Sequence, residues 1–327
     1  MHSFSIRTPA DFDLKRDVCS YGYFLLAPNF WNVKDQSLSR VLDLPDGPNF
    51  IVVRQAGGIG KPIRVNCFRP IDRLARNSIE SAMVRMLRLD ESAEIIRNFH
   101  QCDSRRKLDG RGRIFRSPTL FEDVIKTVTS CNVTWPATVH MNRRICETLG
   151  STIRLAPGII AHGFPSPAKL ARTAASTLRA RCRVGYRDQR IIELAKLFVK
   201  ADTPRGLPLQ LIENVHTSDD SLHDALIELP GIGPYAAANI MQLLGRYGHL
   251  PLDTESVRHG RTILGFEGTA KSVMKAVKAY FEPFADQAFR AYWFELWAAY
   301  EAKNGPAWTW ERDSTGMMFT ASLQVRS

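Results

Sequence analysis

The chain has 327 residues, of which 44% are hydrophobic and 24% are charged, and these ordinary values exclude a disordered, collagenous or repetitive protein. Its 44 lysines and arginines against 33 aspartates and glutamates give a formal net charge of +11, which favours an anionic partner. The six cysteines form no CxxC pair and no apolar run has membrane length, so we expect an intracellular protein with free thiols.

The N-terminal part, residues 1–75, has the pattern of short strands separated by turns. Apolar runs rich in aromatic and β-branched residues, at 22–26 and 49–53, predict two of the strands. Turn signals precede the second run at Pro45-Asp46-Gly47 and follow it at Gly57-Gly58. We therefore predict a small antiparallel sheet within a β-rich N-terminal module, residues 1–90.

The remaining chain, residues 91–327, has apolar residues mostly at helical spacing. The clearest predicted helices are 121–128, 139–149, 167–178, 188–199 and 270–297; a helix at 79–87 precedes them, and another begins near 89–92. Loops are short, which favours one compact unit. The predicted fold class is α+β, a mostly α-helical body with a small antiparallel β module in front of it.

One stretch between two predicted helices, 221–228 and 234–244, is more informative than the rest. It reads Leu-Pro-Gly-Ile-Gly-Pro-Tyr-Ala-Ala over 229–237. Gly233 leaves no side chain over the turn, and Pro234 suits the first helical position. The next backbone N–H groups lie at a helix N-terminus, where unpaired donors attract an anion such as a phosphate. An ordinary helical hairpin with glycine in its turn is the alternative interpretation.

This stretch resembles the hairpin of the helix-hairpin-helix-GPD DNA glycosylases, in which a Gly/Pro-containing loop and an essential aspartate follow the hairpin. Here the loop is 245–252 and the aspartate is Asp253, which precedes a predicted helix start at Thr254. Segments 121–150 and 164–187 are similar to 8-oxoguanine DNA glycosylases, and residues 1–90 are similar to the β-domain shared with alkyl-purine glycosylases. The resemblance implies that double-stranded DNA with a damaged base is the partner and that the protein acts as a monomer.

Asp253 is the predicted catalytic residue. Base excision passes through a cationic sugar, which a nearby carboxylate stabilises while it positions or deprotonates a water nucleophile. The local sequence alone favours a helix N-cap for Asp253, and the hairpin upstream at the family's spacing favours the catalytic role. The two roles are compatible because a carboxylate at a helix N-terminus stays ionised.

Bifunctional members of the superfamily carry a nucleophilic lysine at the position that Tyr235 occupies here. Tyrosine cannot form the imine that leads to strand cleavage. We therefore predict a monofunctional enzyme with water as the nucleophile and an abasic site as the product.

The resemblance also implies which residues bind DNA and the flipped base. Tyr186 would wedge into the base stack, and Arg187 and Asn132 would hydrogen-bond the orphaned opposite base. A second arginine that helps 8-oxoguanine glycosylases to read cytosine is replaced by Ala137, which leaves the opposite base open. The predicted phosphate-binding residues of the hairpin are Gly231, Gly233, Pro234 and Ala236.

Aromatic residues are the candidates for the base pocket, because electron-poor alkylated bases stack well on electron-rich rings. Tyr235 takes the place of a tryptophan in alkyl-purine glycosylases, and Trp293 and Trp297 lie one helical turn apart. Phe24 is a candidate for closing the pocket from the N-terminal module. Core packing is the alternative role for all four.

The cofactor predictions are mostly negative. No histidine or cysteine spacing indicates zinc or an iron–sulfur cluster. The resemblance implies a monovalent cation at the hairpin, held by the main-chain carbonyls of Ile227, Leu229 and Ile232.

Three functions remain open from the sequence. The first is a monofunctional glycosylase for alkylated purines, the second an oxidised-purine glycosylase without the lyase lysine, and the third a DNA-damage binding protein that cuts nothing.

Overall fold

The computed structural model describes residues 2–312, and the last part of the predicted helical domain, 313–327, lies outside it. Five antiparallel strands form the N-terminal sheet in the order β1-β5-β4-β3-β2. Their bounds are β1 Ser3–Ile6, β2 Phe30–Asn32, β3 Ser37–Leu44, β4 Gly47–Gln55 and β5 Ile63–Cys67. The predicted strand at 49–53 and the turn at 45–47 are confirmed, since β3 and β4 form a hairpin there.

The predicted strand at 22–26 is wrong. Gly22–Leu25 is a 3-10 helix whose turns close through bonds from Phe24 N–H to Tyr21 O and from Leu26 N–H to Tyr23 O. All of its side chains are buried, so the run lacks the alternation of a half-exposed strand, and an unbroken apolar run does not distinguish strand from helix. Phe24 consequently packs entirely inside the core.

Helices make up most of the rest, in agreement with the α+β prediction. Their bounds are α1 Leu14–Val18, α2 Arg73–Leu87, α3 Ala93–Cys102, α4 Arg105–Asp109, α5 Leu120–Ser130, α6 Trp135–Leu149, α7 Pro167–Ala171, α8 Ala175–Thr177, α9 Asp188–Val199, α10 Leu209–Ile212, α11 Asp219–Ile227, α12 Pro234–Leu243, α13 Thr254–Thr262, α14 Ala270–Phe281 and α15 Ala288–Asn304. Within the described residues, none of these helices has the length and apolar character needed to span a bilayer.

Two long predicted helices are interrupted. The segment 167–178 divides into α7 and α8 and continues in a π-helical turn, Leu178–Cys182. The segment 270–297 divides into α14 and α15 around Glu282–Gln287, where Ala285 has a φ of 48°. The sequence prediction also missed the hairpin β6 Thr152–Ala156 and β7 Ile159–His162, which packs against the N-terminal sheet.

The hydrophobic core consists of two clusters that do not divide at residue 90. One joins the N-terminal sheet and the 3-10 helix to α14 and α15, so the two ends of the described chain share a core. The other joins α5, α6, α9, α11 and α12, and it includes the apolar side of the hairpin stretch. One cavity is lined by Tyr21 and Trp293, which belong to or pack against the first cluster, and by Val133, which packs against the second.

A buried ion triad connects the sheet to the helical body. Arg40 on β3 donates to both carboxylate oxygens of Glu122 on α5, at 3.2 and 2.8 Å, and Lys126 Nζ lies 2.7 Å from Glu122 Oε1. All three side chains are almost fully buried. Burial alone would raise the pKa of Glu122, but the two cations outweigh it and lower the pKa to about 2.

We expect Glu122→Gln to destabilise the fold by about 3–5 kcal/mol, because it leaves two buried cations without a counter-charge. Denaturant unfolding at neutral pH measures this. Since the pKa of Glu122 is lowered in the folded state, its stabilisation is present above the unfolded pKa and lost as the pH falls towards 2.

The matched control is Asp35→Asn, which breaks the half-exposed pair with Arg54 on the same sheet and should change the unfolding free energy by less than about 1 kcal/mol. Equal losses in the two variants would contradict the assigned role of the triad.

Candidate active site

The hairpin forms between α11 and α12 as the sequence predicts. Gly231 has a φ of 77°, a conformation that glycine adopts without strain, and Gly233 is the residue before the first turn of α12. No atom lies within 4 Å of the position that a Cβ would take on Gly233, so the turn is open to an approaching group. The first-turn N–H groups of Tyr235 and Ala236 have no acceptor among the described residues, which suits an anion.

The carbonyls predicted to hold a cation belong to the end of α11 and to the turn that follows it. Those of Ile227 and Ile232 accept no hydrogen bond within the described part of the chain, and that of Leu229 accepts one from Ile232 N–H at 3.0 Å. Two carbonyls without a described hydrogen bond, and one that accepts a single bond, fit a monovalent cation, which would coordinate their oxygens and stabilise the turn.

Asp253 caps α13. Its Oδ1 accepts from the N–H groups of Glu255 at 2.9 Å and Ser256 at 3.1 Å, and Ser256 Oγ accepts from Asp253 N–H at 3.2 Å. The Ser256 hydroxyl lies 2.9 Å from the hydroxyl of Tyr292 on α15, which fixes the arrangement. Within residues 2–312, the hydrogen bonds that Asp253 accepts all go to Oδ1, so none of these residues occupies Oδ2.

Burial and hydrogen bonding act in opposite directions on the pKa of Asp253. Burial raises the pKa of Asp253 and the charge of Glu255 raises it further, whereas the hydrogen bonds from Ser256 and Glu255 lower it only in part. The helix N-terminus therefore moderates the burial effect but does not reverse it. A positive charge that develops nearby would offset the cost of keeping a partly buried carboxylate ionised.

A cavity of about 330 Å³ opens beside Asp253. This volume lies within the range of small-molecule sites, about 300–1,000 Å³. Its lining comes from the N-terminal 3-10 helix, the loop before α6, and α6, α12, α13 and α15. The aromatic and carboxylate members are Tyr21, Tyr23, Trp135, Tyr235, Asp253, Glu255, Tyr292, Trp293, Trp297 and Tyr300. We call it the aromatic cavity.

Two indoles in this wall are anchored to the other end of the chain. Trp293 Nε1 donates to Ser20 O at 2.8 Å, and Trp297 Nε1 donates to Cys19 O at 3.1 Å. The ring of Trp293 lies 4.8 Å from that of Tyr21 and 5.3 Å from that of Trp297, measured between centroids. The predicted pocket residues Tyr235, Trp293 and Trp297 thus come together around Asp253.

Phe24 is not part of this wall, contrary to the sequence prediction. It is fully buried and absent from the cavity lining, while Tyr21, Gly22 and Tyr23 of the same segment line the cavity. The reason is the 3-10 helix, which turns Phe24 inward where a strand would have presented it to one face. The N-terminal segment does contribute to the cavity wall, but through Tyr21, Gly22 and Tyr23 and not through Phe24.

The predicted opposite-base residues lie on the loop between α5 and α6 or pack beside it. Asn132 is exposed with a φ of 53°, next to the cavity-lining residues Val133 and Thr134. Tyr186 is 53% exposed. Arg187, however, is buried and donates to the carbonyls of Val128, Val184 and Cys131, so in this arrangement it holds the loop before Asn132 and does not reach outward.

Arg190 was missed by sequence reasoning. Its guanidinium lies 5.1 Å from the Tyr186 ring centroid, on which Arg187 also packs at 4.4 Å. Its side chain also covers Gly231, where a Cβ would lie 2.5 Å from Arg190 Cδ. The sequence signal that could have found it is its spacing, since Arg190 follows Arg187 by three residues, about one helical turn. The exposed side chain of Arg190 therefore connects Tyr186 to the hairpin and adds a positive charge between them.

No lysine is among the residues that line the aromatic cavity. The lysine behind its wall, Lys126, has Nζ 5.5 Å from the ring centroid of Tyr23, and it is paired with Glu122. A buried, ion-paired ammonium is a poor nucleophile.

Several solved structures share this architecture. MBOgg1 in complex with a low-affinity DNA ligand has a TM-score of 0.70 with 20% sequence identity over 93% of this chain and 97% of its own. The apo 8-oxoguanine glycosylase/lyase of Clostridium acetobutylicum gives 0.67 with 17% identity over 90% and 95%. The 3-methyladenine DNA-glycosylase of Archaeoglobus fulgidus gives 0.65 with 16% identity over 88% and 95%.

This chain has the fold of the helix-hairpin-helix DNA glycosylases. No family model matches the sequence, and no curated protein matches it either. The likeness therefore lies in the fold, and it agrees with the resemblance that the hairpin and Asp253 indicate.

We expect Asp253→Asn to reduce base release at least about 100-fold, because the amide cannot stabilise a developing cation. Binding to damaged duplex should persist. Asparagine also caps helices well, and it relieves the burial that raises the pKa of Asp253, so the thermal midpoint should equal or exceed that of the wild type. Release at the wild-type rate would contradict the catalytic role.

We expect Gly22→Ala to slow base release by about 10- to 100-fold, since misplacement of a cavity wall by about 1 Å has effects of that size. A Cβ on Gly22 would lie 2.7 and 2.8 Å from two ring atoms of Trp135, so the indole must move. Single-turnover assays measure the rate, and binding to undamaged duplex should not change.

The matched control adds Trp135→Phe to Gly22→Ala, which removes the colliding ring atoms and should recover part of the rate. No recovery would show that the collision is not the cause.

Proposed function

We propose that this chain is a monofunctional DNA glycosylase of base excision repair, which flips a damaged purine out of duplex DNA and hydrolyses its N-glycosidic bond. The observation that carries the proposal is Asp253, a partly buried carboxylate whose Oδ2 accepts no hydrogen bond from the described residues, in an aromatic cavity whose lining contains no lysine. The fold shared with structures of DNA glycosylases supports the same class of reaction.

The proposed reaction follows from this geometry. The hairpin N–H groups and the basic surface with Tyr186 and Arg190 bind the backbone, and the extruded base enters the aromatic cavity. As the bond to the base lengthens, the sugar gains positive charge, which Asp253 Oδ2 stabilises. Water completes the substitution and leaves an abasic site. Tyr235 stands where a lysine would otherwise attack, so no imine forms.

An alkylated purine is the favoured substrate because the lining is aromatic and carries no basic side chain. Rings of this kind attract electron-poor, positively charged bases. A 3-methyladenine glycosylase is among the similar structures. The second candidate is an oxidised purine, favoured by the similar 8-oxoguanine glycosylases and by Asn132 and Tyr186. A third candidate, damage binding without catalysis, is disfavoured because it does not require a carboxylate such as Asp253 in the cavity.

The partner in this proposal is double-stranded DNA with a damaged base, bound by a monomer inside the cell.

A panel of duplexes, each with one lesion, tests the proposal. The lesions are 7-methylguanine, a 3-methyladenine analogue, hypoxanthine, 8-oxoguanine and uracil, and each reaction is divided between hot alkali and no treatment. We expect strand breaks only after alkali, and only with the alkylated purines. Breaks without alkali, or a covalent complex trapped by borohydride, would contradict the monofunctional assignment. Tight binding without any base release would support the damage-binding alternative.

A further inference from the structure

Glu255 is a second carboxylate in the aromatic cavity, and the reaction proposed above gives it no role. It lies in the first turn of α13, two residues after Asp253, and lines the cavity beside it. Its side chain is only 17% exposed. Arg258 offsets the charge of Glu255, but Arg258 is not among the residues that line the cavity, and none of the lining residues is basic.

The carboxylate of Glu255 is held in one orientation. Oε1 accepts from the Tyr300 hydroxyl at 2.5 Å, from Arg258 Nε at 2.8 Å and also from an Arg258 terminal nitrogen. Tyr300 is itself part of the cavity wall, whereas Arg258 is not. Because every described bond goes to Oε1, Oε2 is the acceptor left for a molecule in the cavity.

The surroundings of Oε2 favour a positively charged ligand. The residues that line the cavity include two carboxylates and no lysine, arginine or histidine. Rings of Tyr21, Trp293 and Trp297 supply electron-rich faces on the same wall. A carboxylate oxygen forms its strongest hydrogen bonds with donors on a cation, and aromatic faces attract the same charge.

We propose that Glu255 is a specificity-determining residue, whose Oε2 accepts a hydrogen bond from the exocyclic amine of an N-alkylated purine cation. The proposal rests on the glycosylase function proposed above and deepens it by naming the charge and the donor of the substrate. Alkylation at N3 or N7 makes the purine ring cationic in DNA, which strengthens its amine as a donor. Hypoxanthine has neither the charge nor the amine, and so gains least from Glu255.

The simpler explanation is that Glu255 only orients Arg258 and stabilises α13, as an i,i+3 ion pair. The two explanations differ in one measurable property. A structural role affects every substrate alike, whereas a specificity role changes the ratio of rates between a cationic amino-purine and a neutral purine without an amine.

The first experiment compares wild type, Glu255→Gln and Glu267→Gln in single-turnover release of 7-methylguanine and hypoxanthine from matched duplexes. Glu267 is an exposed carboxylate between α13 and α14, so its variant controls for the loss of one negative charge. We expect Glu255→Gln to slow 7-methylguanine release by about 10- to 100-fold, the effect of one charge-assisted hydrogen bond. Hypoxanthine release should be preserved, and Glu267→Gln should behave as wild type for both.

A uniform loss for both bases in Glu255→Gln, or no loss in either, would overturn the proposal. If that variant does not fold, Tyr300→Phe replaces it, because it keeps the ring and removes one donor that fixes Oε1. That variant should reduce the same rate ratio by a smaller factor, and an unchanged ratio would count against the proposal.

A binding measurement separates this proposal from the function on which it rests. Tryptophan fluorescence follows the binding of 7-methylguanosine, a cationic nucleoside with an amine, and inosine, which has neither feature. Selective 7-methylguanosine binding that is lost in Glu255→Gln would support the specificity role even if wild type released no base. Release of 8-oxoguanine without release of 7-methylguanine or binding of 7-methylguanosine would overturn it while leaving a glycosylase.

Discussion

The aromatic cavity depends on two hydrogen bonds that join opposite ends of the chain. Trp293 and Trp297 on α15 donate their indole N–H groups to the main-chain carbonyls of Ser20 and Cys19. The bonds satisfy polar groups that would otherwise be buried without partners, and they set the distance between α15 and the N-terminal 3-10 helix. Tyr21 and Tyr23 thereby face the site of Asp253. The N-terminal module is therefore as much a part of the site as the hairpin.

Opposite electrostatic requirements are met on adjacent surfaces of one molecule. The chain has a net charge of +11, and exposed arginine, unpaired N–H groups and the hairpin turn lie where a phosphate backbone would approach. The cavity beside them is lined by carboxylates and aromatic rings and by no basic residue. In the proposed function, the outer surface attracts the phosphate backbone, and the cavity favours a base that carries positive charge. The carboxylates act mainly on a group inside the cavity, because charges interact more strongly where water is excluded.

Much of the fold was predictable because its signals are local. The helices α5, α6 and α9 follow from apolar periodicity, and the β3–β4 turn follows from Pro45-Asp46-Gly47. Errors arose where tertiary contacts decided the local structure. The segment 22–26 reads as a strand, yet packing of Gly22 against Trp135 and burial on all sides favour the 3-10 helix. The break between α14 and α15 depends on Ala285, whose φ of 48° no propensity would predict.

The sequence by itself determined the hairpin, the position of Asp253 after it and the replacement of lysine by Tyr235, because each depends on residue type and spacing along a short stretch. Only the tertiary structure decided which aromatic residues surround Asp253. It placed Phe24 in the hydrophobic core and Tyr21 in the cavity wall, and it directed the Arg187 side chain to the loop before Asn132. It also decided that Glu255, which the sequence prediction did not single out, lines the cavity beside Asp253. These features depend on contacts between segments far apart in the chain, and residue spacing carries no information about them.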